Sequence, residues 1–241
     1  MTTQLIGSRA DAVAAVFAPV LRLLEGWRHP LAAALAAGAG ERSALLDPAV
    51  ERLVTPALSD RSTLVVGAGF IAAPGLLGDV PLHLAWWLGK FNTLGAPPAE
   101  AQVRRLPAVE DPSSEDFHDY TFMEWWRVPA ETRLPHLTGP YVDYLCTDDY
   151  TLTLTVPVTR GDELLGLLGA DLYVREIEAA LLPALTGAPG VLTLVNRSGR
   201  VILSTDPHRP SGVLLRNAAG SGATALPVEW GGTPLTLVAE A

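Results

Sequence analysis

Cysteine is almost absent from this chain. Cys146 is the single one among 241 residues, which excludes an internal disulfide and any cysteine-based metal site. Positive charge is also in deficit: 17 Lys and Arg stand against 26 Asp and Glu, for a net charge of −9. Phosphate surfaces are held by clustered cations, so direct contact with nucleic acid or an anionic membrane is not expected. A bilayer-spanning apolar run is missing too. The most apolar early stretch, Ala12–Leu21, is short and lies between Asp11 and Arg22, so no membrane span is expected. Residues 1–11 lack a basic segment followed by an apolar core, so no secretory leader is read there, and the expectation is a cytoplasmic protein.

Chemical motifs are equally sparse. His29, His83, His118, His136 and His208 are scattered and form neither H-x-x-H nor H-E-x-x-H, so no metal is expected. There is no G-x-S-x-G elbow and no Walker loop, so neither a cofactor nor enzymatic activity is expected. Gly67-x-Gly69 lacks the third glycine and helix start of a dinucleotide fingerprint; it reads instead as a bulge or a place where a ligand approaches the backbone.

What is present is core material. The chain is 49% hydrophobic and 18% charged, enough to bury a substantial interior. Val13, Val16, Phe17, Val20, Leu24 and Trp27 follow helical spacing, which predicts a helix over Ser8–Trp27 with Ser8 as N-cap, a kink at Pro19 and a restart at Pro30. Asp47-Pro48 reads as the start of a short helix to Leu58. Ser62–Ile71 and Leu82–Leu88 are strand candidates, the second with Trp86 and Trp87 on opposite sides. Phe117–Val128 is the most aromatic stretch. It reads as a short helix stopped by Pro129, with Tyr120 and Arg127 on one face and Trp125 and Trp126 on another. A helix over 174–185 and hairpins over Val191–Thr205 and Ala225–Ala239 complete the chain.

The stretch Gly139 to Val174 organises the rest. Thr151, Thr153 and Thr155 alternate with Leu152, Leu154 and Val156, the pattern of a half-buried strand. Thr159–Asp162 is a turn, and Leu164–Tyr173 runs back, apolar except for Asp171. A turn centred on Arg160-Gly161 sets Asp171 opposite Tyr150, at the end where the Tyr141–Asp149 loop enters. Asp143 and Asp171 then share one end of a sheet, beside aromatic rings suited to a cation. Each residue also has a plainer reading. Asp171 caps the following helix, Asp143 forms a turn, Tyr141 and the tryptophans are core, and Arg127 pairs with Glu124 or Glu131.

Four pieces together carry a resemblance: the Trp125-Trp126 pair, Gly139-Pro140-Tyr141-Val142-Asp143, the strand Thr153 to Val158, and Gly166 with Gly169-Ala170-Asp171. In that order, behind a long helix and two strands, the chain resembles Cache (PAS-like PDC) sensor domains over roughly Ser8 to Leu185. The resemblance implies an α+β fold: a PAS-like antiparallel sheet, a long N-terminal helix and a small, abbreviated second lobe. The implied divisions are a helical region over 1–60, a Cache-like ligand-binding domain over 61–187 and a β-rich lobe over 188–241. In the amine and amino-acid branch, residues matching Tyr141, Asp143 and Asp171 hold the ligand ammonium, and a tryptophan matching Trp125 or Trp126 lines the pocket. That branch also carries an arginine just before the aromatic pair, for the ligand carboxylate. Here Met123 and Glu124 precede the pair and Arg127 follows it, which favours an amine-like cation over an α-amino acid. The resemblance further implies a small-molecule sensor whose output goes to a separate protein, such as a transcription regulator, and a homodimer through the N-terminal helix. Most such domains lie outside the membrane between two spanning helices, and neither helix is seen here. The competing readings are a small-metabolite enzyme using the Asp143/Asp171 pair, and a scaffold with a vestigial pocket.

Overall fold

The computed structural model describes residues 2–94, 102–115, 117–142, 149–215 and 223–240. Helix α1 (Thr2–Ala34) runs unbroken through Pro19 and Pro30. The expected N-cap at Ser8 and restart at Pro30 are therefore corrected: burial of one long face outweighs two missing backbone hydrogen bonds. That face, including Val13, Phe17, Leu24 and Leu31, is fully buried. Helix α2 (Ser43–Ser59) begins before Asp47, which lies inside it rather than capping it. The carboxylate of Asp47 has another use, described below. Among the described residues, no helix is long and apolar enough to cross a membrane.

Strands β1 (Val65–Ala72), β2 (Leu84–Leu88), β3 (Arg104–Arg105), β4 (His136–Val142), β5 (Tyr150–Arg160) and β6 (Glu163–Tyr173) form one antiparallel sheet. Their spatial order is β3-β2-β1-β6-β5-β4. The chain lays down one half, crosses to the far edge, and returns so that β6 closes against β1. The crossing segment carries a 3-10 turn, Tyr120–Phe122, and helix α3 (Glu124–Thr132). Pro129 does not stop this helix but sits inside it, and the stop comes at Arg133, in the left-handed conformation. Residues 139–142, read from sequence as loop, belong to edge strand β4.

Helix α4 (Val174–Leu185) leads to the second sheet: β7 (Val191–Val195), β8 (Val201–Ser204), β9 (Thr224–Val228) and β10 (Leu235–Glu240). Its order is β8-β7-β10-β9, which contains both hairpins expected from sequence. One apolar core runs along α1 and reaches both sheets, from Leu154 and Leu168 to Leu203 and Leu235. Phe17 marks the crossing point, its ring 5.4 Å from that of Trp230. Phe17→Leu should cost about 1–2 kcal/mol, from the lost ring pair and an imperfect refill. A urea titration reads this directly, and an unchanged midpoint would show that the contact adds nothing.

Alternation holds on every central strand. Ala68 and Phe70 of β1, Trp87 of β2, Leu152 and Leu154 of β5 and Leu168 and Ala170 of β6 join the core beneath the helices. Ile71, Trp86 and Leu167 join Leu106, Tyr120 and Trp126 in a separate cluster on the opposite face. Trp86 and Trp87 thus point to opposite sides, as read from the sequence. The threonine row, however, is buried rather than exposed: Thr151, Thr153 and Thr155 are all at or below 3%.

Candidate functional site

The β5–β6 register decides where Asp171 lies. A shift between Val158 and Thr159 and a turn at Gly161-Asp162 place Asp171 opposite Thr153, not opposite Tyr150. On the other side Asp171 pairs with Gly67 of β1. It therefore sits within the sheet, three residues deeper than the sequence reading put it, and is 1% exposed. Period-2 geometry puts it on the same face as Leu167 and Gly169, the face that carries the second cluster.

Hydrogen bonds converge on this carboxylate. Thr153 Oγ1 donates to Asp171 Oδ1 at 2.7 Å. Tyr141 Oη lies 2.7 Å from the same Thr153 oxygen. A hydroxyl has one proton, and Thr153 spends it on Asp171, so Tyr141 is the donor in the other bond. The result is a directed chain from the edge strand to the carboxylate. One strand further in the same row, the Thr138 hydroxyl is buried with no partner among the described residues.

The aromatic residues pack together on this face. Trp126 is buried and Trp125 partly buried against the same cluster. Tyr120 packs on both, with ring centroids 5.3 Å from Trp126 and 6.1 Å from Trp125. Thr155 Oγ1 donates to the Trp125 carbonyl at 3.0 Å, tying α3 to β5. Tyr120 contributes its ring rather than its hydroxyl: Oη donates to the Ala72 carbonyl at 2.8 Å and accepts from the His83 backbone N–H at 3.1 Å. Burial drives its pKa well up, so it stays a neutral phenol. Arg127 does not join the group. It lies half-exposed on α3, paired with Glu131 at 3.3 Å, which is the plainer of the two sequence readings. Asp143, expected as the second carboxylate, lies outside the described residues.

Sequence reasoning undervalued Trp86. Its indole lies across the sheet, because Gly67 and Gly169 clear a path over β1 and β6. A Cβ on Gly169 would sit 2.9 Å from the outer ring carbons of Trp86. The readable signal was the Gly67-x-Gly69 pair, taken as a bulge or a close ligand approach. The bulge occurs, since the β1–β6 register shifts between Val65 and Gly67, and the group that comes close to Gly67 in the structure is the Trp86 indole. Thr153 was placed on the correct face but given no role.

Two buried histidines hold carboxylates near the aromatic cluster, His136 with Glu124 and His83 with both Asp47 and Glu110. Glu124 at the start of α3 lies 2.9 Å from His136 Nε2. Asp47 Oδ1 lies 2.7 Å from Nε2 of His83, whose ring is 2% exposed. The His136 bond holds the Glu124 carboxyl below its ordinary value, against the opposing effect of burial. For Asp47 burial pushes upward, but the His83 bond and the Arg105 charge together prevail and lower it. A carboxylate whose pKa is depressed by folding contributes stability above its unfolded value, about 4. That contribution disappears as pH falls through the lower folded value. Glu124→Gln and Asp47→Asn should therefore each flatten the loss of stability as pH falls below about 4, measured by urea midpoints through the acid range. A slope unchanged in both variants would show that neither pair is coupled to folding.

An antiparallel sheet closed by its first and last strands, a long helix behind it and a smaller sheet after it define the Cache architecture, as the resemblance implied. No family model matches the chain and no curated protein is similar to it in sequence. Solved structures are similar to it in fold. One is the ligand-binding domain of the Pseudomonas aeruginosa PAO1 amino acid chemoreceptor PctC in complex with GABA, 17% identical, with TM-score 0.58, covering 97% of each chain. Another is that of PctB from the same organism in complex with L-Arg, 18% identical, TM-score 0.59, covering 97% of this chain and 91% of the other. A third is that of the Pseudomonas fluorescens chemoreceptor CtaA in complex with L-valine, 12% identical, TM-score 0.61, covering 98% and 94%.

Proposed function

We propose that this chain is a small-molecule sensor domain that binds a cationic metabolite, an amine or amino acid, and passes the event to a partner protein. The observation that carries this reading is Asp171. A carboxylate buried in an apolar sheet is costly to desolvate. Here it is oriented by Thr153 and Tyr141 on the sheet face that also carries the aromatic cluster. Such a carboxylate is suited to an ammonium group, with Trp125, Trp126 and the Tyr120 ring as walls. The buried hydroxyl of Thr138 adds a polar contact on the same face. The solved structures of this fold named above hold GABA, L-Arg and L-valine, and each of these carries an amino group.

The carboxylate arm is different. Glu124 stands before the aromatic pair and is engaged with His136, while Arg127 is engaged with Glu131. This supports an amine-like ligand over an α-amino acid. Asp143 serves in the reading as a second anionic contact. Output passes to a separate protein, such as a transcription regulator, and α1 supplies the surface for a homodimer. The test is a thermal-shift screen with parallel panels of amines and amino acids. A ligand that binds the folded state raises the melting temperature by mass action, with the larger rises expected among the amines. A flat response across both panels would remove the sensor reading.

A further inference from the structure

The Trp86 indole N–H is buried and has no acceptor among the described residues. A buried donor left unpaired is unfavourable and uncommon, so its direction is informative. The glycine path fixes that direction. The six-membered ring lies over Gly169, and Nε1 is 3.0 Å from the point where a Cβ on Gly67 would stand. Asp171 Oδ2 is 3.1 Å from the same point. A buried donor and a buried carboxylate oxygen thus converge above one glycine, about 6 Å apart at most, a span that one small polar molecule bridges with two hydrogen bonds.

We propose that Trp86 is a ligand-contacting residue that determines specificity. Its N–H selects amines carrying a neutral hydrogen-bond acceptor close to the nitrogen, such as amino alcohols and amino amides, over plain alkylamines. This rests on the reading that Asp171 holds the ammonium. An acceptor one or two carbons from that nitrogen lies within reach of Nε1. A neutral oxygen suits the position better than a carboxylate, which would stand in the field of Asp171. Gly67 is part of the device, because any side chain there would intrude between the two groups.

The test uses matched pairs: 2-aminoethanol with propylamine, and phenylalaninol with phenethylamine, titrated calorimetrically into the full chain. Wild type should favour the acceptor-bearing member of each pair by roughly three- to tenfold, the worth of one neutral hydrogen bond. Trp86→Phe should erase that preference and leave the plain amines unchanged within about twofold. Asp171→Asn should abolish binding of both members. In wild type labelled with 15N at the indoles, the Trp86 resonance, assigned from its contacts to Gly169, should move with the amino alcohols and stay in place with the plain amines. This readout holds even where Trp86→Phe fails to fold. Equal affinity within each pair, with both members dependent on Asp171 and the Trp86 resonance still, would overturn the proposal and leave the amine reading standing. Binding by none of the four compounds would overturn both.

Discussion

Asp171→Asn is expected to weaken amine binding by roughly 30-fold or more while leaving the unliganded protein folded. Asparagine keeps the shape of the side chain and an acceptor for the Thr153 hydroxyl, now 2.7 Å from Oδ1. What it removes is the negative charge. An ammonium brought to a neutral amide at a 1% exposed position loses its counter-charge and cannot recover it from water. Breaking a buried, hydrogen-bonded charge pair in this way costs about 2–5 kcal/mol. Stability without ligand should change by no more than about 1 kcal/mol, because removing a buried charge lifts a desolvation penalty that its hydrogen bonds only partly offset. Calorimetric titration and urea unfolding separate the two quantities. Wild-type affinity in the variant, with lowered stability, would make Asp171 a structural residue that anchors the Thr153–Tyr141 hydrogen-bond chain.

The second large effect concerns the fold beneath the site. Gly69→Ala should destabilise the protein by roughly 3–5 kcal/mol, or prevent folding. A Cβ at position 69 would lie 2.1 Å from the Ala85 carbonyl oxygen and 2.8 Å from Trp86 Cα. These are backbone atoms of the paired strand β2, not the ends of flexible side chains, so relief requires β2 to move. That movement breaks the ladder in which Gly69 pairs with Trp86, and it lifts the indole off Gly169. At Gly67 the opposing atoms belong to the Trp86 and Asp171 side chains, at 3.0 and 3.1 Å. Gly67→Ala should therefore be much milder for stability. Chemical denaturation of the two variants side by side checks the ordering, and equal midpoints would refute it.

Strand identity in the main sheet was largely local information. The Thr–Leu alternation of 151–156 and the opposed Trp86 and Trp87 each declare a strand and its two faces, because side-chain direction alternates residue by residue. The hairpins at 191–205 and 225–239 were equally legible from their turn residues. Helix limits were less so. Pro30 and Pro129 were read as a restart and a stop, yet both lie within helices. Each removes one backbone hydrogen bond, and burial of the apolar face of α1 and packing of α3 against the sheet outweigh that loss.

Composition and pattern alone determined an acidic protein of helices and strands, the strands with known facing, an aromatic segment before the central hairpin, and a carboxylate interrupting an apolar strand. The tertiary structure decided what that carboxylate meets. A register shift near the turn moved Asp171 from the sheet's end to its interior, opposite Thr153 and Gly67. It also brought Trp86, 85 positions earlier in the chain, to the same spot. The physical reason is that facing follows from a period of two and is inherited by every strand independently. Register depends instead on bulges, turn geometry and the packing of one strand's side chains over its neighbours' glycines, which exist only once the sheet has assembled.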